Sequence, residues 1–256
     1  MVRNPFRRRD AARSDHESSP SPVRAEEPSP AEPDTSYQEL RAAFTAVVSH
    51  ELRTPLARLL ALLDTAALPA TDRDELLEEA RAEVEQMREL VDEILFLSEL
   101  ETGHEVVSLA PTRAVPVLEE VVAALAEPGE RAGVGLRVEG DPELELPLRP
   151  RMLRAVAENL TENAVRYAGD GASFALAVER SDGGIVLRAT DNGVGVPEDA
   201  LPRLFERFYR SDRARASRGT GLGLAIVKHI VTSAGGEIEA RGGLGRGLEI
   251  DCTFTG

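Results

Sequence analysis

His50, Glu51, Thr54 and Pro55 fall within the run Ser49-His50-Glu51-Leu52-Arg53-Thr54-Pro55-Leu56. A neutral imidazole nitrogen is a nucleophile, and a carboxylate beside it can hold the other ring nitrogen and take its proton. Thr54 lies four residues after His50, one helical turn, so on a helix the two share a face. Pro55 cannot donate to the carbonyl of Glu51, and its ring crowds that turn, so a helix passing through it is loosened just after His50. Taken alone, His50 reads as a solvated polar residue. With the carboxylate and the weakened turn it reads as a reactive site.

Three further groupings carry chemistry. In Glu158–Tyr167, Asn159, Asn163 and Arg166 recur at helical steps and so point to one side. A carboxamide offers its oxygen to a metal and its N–H groups to a phosphate, and a guanidinium is a natural phosphate partner. The run Asp191-Asn192-Gly193-Val194-Gly195 closes an apolar strand. An aspartate there can accept from an exocyclic amine while the glycines let a flat ring approach, although the same residues suit an ordinary Asx turn. The run Gly219-Thr220-Gly221-Leu222-Gly223 opens a helix, where backbone N–H groups and the helix dipole favour an anion. It lacks the Gly-Lys-Ser/Thr of a Walker A loop and the preceding strand of a dinucleotide fingerprint. Between these runs, Phe205, Arg207, Phe208 and Arg210 lead into a polar, basic segment ending at Arg218, which suits a hinged lid over phosphates. Arg213, Arg215 and Arg218 themselves read as exposed loop residues.

These groups need elements to hold them. Val47, Val48, Leu52, Leu56, Leu59, Leu60 and Leu63 step by three and four, which predicts an amphipathic helix from about Tyr37 to Ala67. Pro69 to Asp72 breaks it, Thr71 is a suitable N-cap, and a second amphipathic helix runs to about Thr102-Gly103. Two helices in a hairpin cannot both bury an apolar stripe alone, so the pattern predicts a homodimeric four-helix bundle. From Val106 the pattern becomes mixed. Strands are expected over Val106–Leu109, Gly135–Glu139, Ser173–Glu179, Gly184–Asp191, Glu237–Arg241 and Gly247–Phe254. Helices are expected over Ala114–Ala126, Pro150–Tyr167, Leu201–Phe208 and Leu222–Ala234. The fold class is therefore α+β: an antiparallel helical hairpin followed by an α/β sandwich. The expected division is a disordered tail over 1–36, the hairpin over 37–103 and the sandwich over 104–256.

Composition narrows the partners. With 30 basic and 45 acidic residues in 256, the net charge of −15 argues against a nucleic-acid backbone. Cys252 is the sole cysteine, which excludes an internal disulfide and suits a reducing, cytoplasmic setting. No apolar run is long enough to cross a membrane, and the arginines near the amino terminus precede no apolar core of a signal peptide. Arg7-Arg8-Arg9 beside Phe6 reads as a solvated tail end, because the acidic residues that follow offset it.

The octapeptide around His50 closely resembles the phospho-acceptor box of two-component sensor histidine kinases. The asparagine box, Asp-x-Gly-x-Gly, phenylalanine-bearing lid and Gly-x-Gly-x-Gly follow it in that family's order, so the resemblance covers about Tyr37 to Gly256. It implies a phosphotransfer hairpin joined to an ATP-binding sandwich of the gyrase and Hsp90 kind, with ATP and Mg²⁺ bound there. By the same resemblance His50 attacks the γ-phosphate with Glu51 as general base, and Asn163 ligates Mg²⁺. Asn159 and Arg166 support the phosphates, Tyr167 packs on the adenine, and Asp191 accepts from its amine with clearance from Gly193 and Gly195. Arg207 and Arg210 face the transferring phosphate. Gly219, Thr220, Gly221, Leu222 and Gly223 shape the phosphate end. The acceptor of the phosphoryl group is an aspartate of a response regulator, and Glu51-x-x-Thr54 resembles the motif with which some of these kinases also dephosphorylate it. Two departures stand out: Arg218 replaces a glycine frequent in the family, and the usual membrane sensor is missing. The signal then comes through the tail or a separate sensor partner, or the chain is a detached core. Two rivals are a sandwich ATPase, which would need an activating glutamate where Asn159 stands, and a nucleotide-binding scaffold without transfer.

Overall fold

A computed structural model describes residues 35–68, 73–102, 111–211 and 219–255, with side chains from Ala46 on. The expected tail, the Thr71 cap, Gly103, the strand at Val106–Leu109 and the loop residues Arg213, Arg215 and Arg218 lie outside the described residues. Among the described residues no helix is long and apolar enough to cross a membrane. The chain divides into a unit ending at Phe44, of which the helical backbone from Thr35 is described, and a second unit from Thr45 onward.

Helix α1, Thr35–Ala66, continues through Pro55, and α2 spans Arg73–Glu101. Nη1 of Arg58 lies 3.6 Å from Oε1 of Glu83 and ties the two helices together. Both rise about 1.5 Å per residue, so the eight residues back from Arg58 to His50 match the eight on from Glu83 to Val91. His50 therefore stands level with Val91, within about one turn of Glu93. Leu56, Leu60 and Leu63 of α1 and Leu77, Val84, Val91 and Leu95 of α2 are 41–57% exposed, so the single chain leaves an apolar stripe open.

The sandwich begins with β1 (Thr112–Arg113), which pairs antiparallel with β3 (Glu145–Leu146). Strands β2 (Gly135–Gly140), β4 (Ser173–Ser181), β5 (Gly184–Asp191), β6 (Glu237–Gly242) and β7 (Leu248–Phe254) form one sheet in the order β2-β4-β5-β7-β6. Only β2 and β4 pair parallel within it. Helices α3 (Ala114–Ala124), α5 (Pro150–Tyr167) and α6 (Gly223–Ser233) pack on the sheet. The register places Leu176 opposite Ala189, and Leu187 opposite Cys252, and all four are buried. Side chains alternate along a strand, so Asp191 shares the inward face of Leu187 and Ala189. The outward face carries Arg188 and Arg241, both paired with the largely buried Asp251.

Two expectations are corrected. The helix expected over Ala114–Ala126 breaks at Leu125, and a separate α4 follows over Ala126–Ala132. Pro128 has no N–H to give to the carbonyl of Ala124, so α3 cannot continue through it. The helix expected over Leu201–Phe208 is only a 3-10 turn, Leu201–Arg203, followed by irregular turns. Phe208 adopts φ +60° and donates its N–H 2.9 Å to the carbonyl of Gly221, outside any helical pattern. The short strands β1 and β3 and helix α4 lack a periodic sequence signal because each is only a few residues long.

Candidate active site

His50 lies on exposed surface of α1 with its side chain 73% accessible, and Nδ1 is 3.4 Å from Oε1 of Glu51. Neighbouring helical side chains do not normally meet. Here the rotamers bring them together, which leaves Nε2 as the outer nitrogen. The Thr54 hydroxyl donates to the His50 carbonyl at 3.3 Å, the turn that Pro55 weakens. The ring of Pro55 is itself buried.

The second centre is a cavity of about 310 Å³ between α5, the end of β5, the glycine run and α2. Asn159, Asn163, Arg166, Tyr167, Asp191, Gly195, Arg210, Gly219, Thr220, Gly221 and Gly223 all line it. They converge for separate local reasons. On α5, Met152, Leu153, Val156, Ala157 and Leu160 are buried under the helix, so the stripe of Asn159, Asn163 and Arg166 is turned to the cavity. Asn159 is fixed by donating Nδ2 to the Ala155 carbonyl at 2.8 Å. Its Oδ1 sits against Gly223 so closely that a Cβ there would overlap it and push the carboxamide aside. Asp191 accepts at Oδ1 from the Gly193 N–H, 2.8 Å away. Burial pushes the Asp191 carboxyl above its ordinary range, opposed by the backbone N–H groups of Gly193 and Leu248.

Three expected residues sit elsewhere. Gly193 does not line the cavity: it passes against the Ala168 carbonyl, where a Cβ would collide, and shapes the turn that holds Asp191. Leu222 is fully buried as the first residue before α6. Arg207 lies outside the cavity lining, and its guanidinium pairs with Glu101 of α2.

Two lining carboxylates escaped the sequence reading. Glu162 follows Asn159 by three residues on α5, and helical spacing alone would have found it. Glu93 comes from α2, and its carboxylate accepts the hydroxyl of Thr220. No local pattern announces that contact, because it depends on docking between distant segments. Burial pushes Glu93 up to about 7.

The donors suit a hard, oxygen-seeking cation. Among the described residues Asn163 makes no hydrogen bond through its carboxamide and has its oxygen to offer. No group of three or more His, Cys, Asp or Glu side chains forms a metal cage among the described residues.

An accessible histidine–carboxylate pair on a helical hairpin thus precedes an α/β sandwich that holds the cavity. Residues 40–103 match the His Kinase A (phospho-acceptor) domain, and 149–255 match the histidine kinase-, DNA gyrase B- and HSP90-like ATPase. The chain belongs to the two-component sensor histidine kinases. It is 32% identical over 211 residues to the sensor-like histidine kinase SenX3 of Mycolicibacterium smegmatis, covering 77% of this chain and 53% of that one. Among solved structures, ShkA, determined whole with AMPPNP, is 29% identical with a TM-score of 0.61, covering 82% of this chain and 45% of ShkA. The histidine kinase AdeS of Acinetobacter baumannii shares the fold, with a TM-score of 0.65 at 23% identity over 80% of this chain and 97% of AdeS. The chain spans about half the length of the curated relatives it matches.

Proposed function

We propose that the chain transfers the γ-phosphoryl group of ATP to His50 and passes it to an aspartate of a response regulator. The observation that carries this reading is one chain holding both an accessible His50–Glu51 pair and a cavity lined by Asn159, Asn163, Arg166 and Asp191. Asp191 accepts from the adenine amine, Tyr167 packs against the base, and Arg166, Arg210 and the run from Gly219 to Gly223 hold the phosphates. Asn163 holds Mg²⁺, which when bound neutralises phosphate charge. Nε2 of His50 forms the new N–P bond as the bond to the ADP oxygen breaks, and Glu51 takes the Nδ1 proton.

The functional units are the hairpin over 37–103 and the ATP-binding part over 104–256. The exposed apolar stripe supports a homodimer, in which a second hairpin covers it. Thr54, exposed one turn from His50, orients water for dephosphorylation of the regulator. The test is incubation with Mg²⁺ and γ-labelled ATP: acid-labile, alkali-stable label is expected, and its persistence in His50→Gln would overturn the assignment.

A further inference from the structure

The carboxyl-terminal half of α2 is docked on the ATP-binding part, burying Leu97 and Leu100. Two acidic residues flank that apolar contact, Glu93 four residues before Leu97 and Glu101 four after it. Glu93 accepts from the hydroxyl of Thr220, which lies between Gly219 and Gly221 in the glycine run and itself accepts from the Leu222 N–H at 3.2 Å. Glu101 pairs with Arg207 just ahead of the expected lid segment. Both contacts therefore place a carboxyl group on a residue that the family resemblance assigns to phosphate, Thr220 inside the cavity and Arg207 outside its lining. Carboxyl and phosphoryl oxygens accept from the same hydroxyl and guanidinium donors.

We propose that Glu93 and Glu101 stand in for nucleotide phosphates, so that docking of α2 and binding of a nucleoside triphosphate compete for Thr220 and Arg207. By linkage, the nucleotide loosens α2 to the same degree that docked α2 weakens the nucleotide. Loosening would release the helix whose His50-level turn borders the cavity, so binding and the freeing of the hairpin become one event. This inference rests on the nucleotide reading of the cavity.

The test compares the 256-residue chain with its Glu93→Ala/Glu101→Ala form, which removes both acceptors, measuring Mg²⁺·AMPPNP and adenosine binding by calorimetry. The variant is expected to bind AMPPNP more tightly by about fivefold or more, the lower end of ordinary coupling between sites, with adenosine affinity unchanged. In the wild-type chain AMPPNP should speed amide exchange over residues 93–101. Equal or weaker AMPPNP binding by the variant, an equal gain for adenosine, or unchanged exchange in the wild type would each overturn the competition while leaving the nucleotide site standing. Failure of both proteins to bind AMPPNP or adenosine would overturn the nucleotide reading and this inference with it.

Discussion

Nδ1 of His50 and Oε1 of Glu51 lie 3.4 Å apart, although they are consecutive residues on one helix. That separation exceeds the roughly 2.7–3.2 Å of a well-formed N–H···O bond, and contacts between a base and its partner are often long until substrate binds. The pair stays accessible, with 73% of the His50 side chain exposed, as the proposed transfer of a phosphoryl group to and from the imidazole requires.

Glu51→Gln keeps the size and hydrogen-bonding capacity of the side chain but removes the base. Autophosphorylation should slow by roughly 100-fold or more, the usual range for a general base, with nucleotide affinity unchanged. Single-turnover labelling beside calorimetric binding separates the two effects, and an unaltered rate would remove Glu51 from the reaction.

Asp191→Asn replaces an acceptor with a group that also presents donors to the base. Nucleotide affinity should fall by about 10- to 100-fold, as expected when a hydrogen bond to the base is lost in a buried site. Thermal unfolding without nucleotide should change little, because the Gly193 N–H still finds an amide oxygen. Equal affinity for ATP and GTP in the wild-type chain would argue that Asp191 does not read the base.

The Glu93 carboxyl gives docking a pH dependence of definite sign. Burial is the main cause of its rise from 4.5 to about 7; Glu162 and Glu89 add to it, while the Thr220 hydroxyl and Arg166 oppose it. Docked α2 therefore binds the proton more tightly than undocked α2. The contribution favours docking fully below about pH 4.5 and is lost as pH rises through about 7. Amide exchange over residues 93–101 should quicken between pH 5.5 and 8 beyond its intrinsic base dependence, and Glu93→Gln should abolish that excess.

Cys252 is fully buried in β7, and burial first, then neighbouring Asp251, pushes its thiol up to about 12. The native chain should show no reaction with a thiol reagent at pH 8, and one equivalent should react after unfolding, since the sequence holds a single cysteine. Rapid reaction of the native protein would mean that β7 opens readily.

Much of this molecule is legible in the sequence where a period is long or a terminus is chemically marked. Helix α5 begins at Pro150 and ends at Tyr167 as expected, because Pro suits the first helical turn and the apolar spacing persists for the whole length. Strand β5 is found at its expected bounds, since Gly184 opens an apolar run and Asp191-Asn192-Gly193 closes it. Legibility fails where long-range packing decides. Arg207 looks like a phosphate ligand by its place in the chain, yet it turns to Glu101, more than 100 residues away. Glu93 reads as one more solvated charge of α2 until the docked sandwich makes it part of the cavity. The break at Leu125 was written in Pro128, but the apolar run through Ala126 masks it.

The central claim is that the γ-phosphoryl group ends on His50. Tandem mass spectrometry of the Mg²⁺·ATP-treated chain, digested and separated at alkaline pH, locates the group directly. A single phosphoryl group on the His50 imidazole is expected, reduced roughly in proportion to the lost affinity when Asp191→Asn is treated with limiting ATP. A phosphoryl group on Ser49 or Thr54 instead, or none on any residue of a chain that binds ATP, would contradict it.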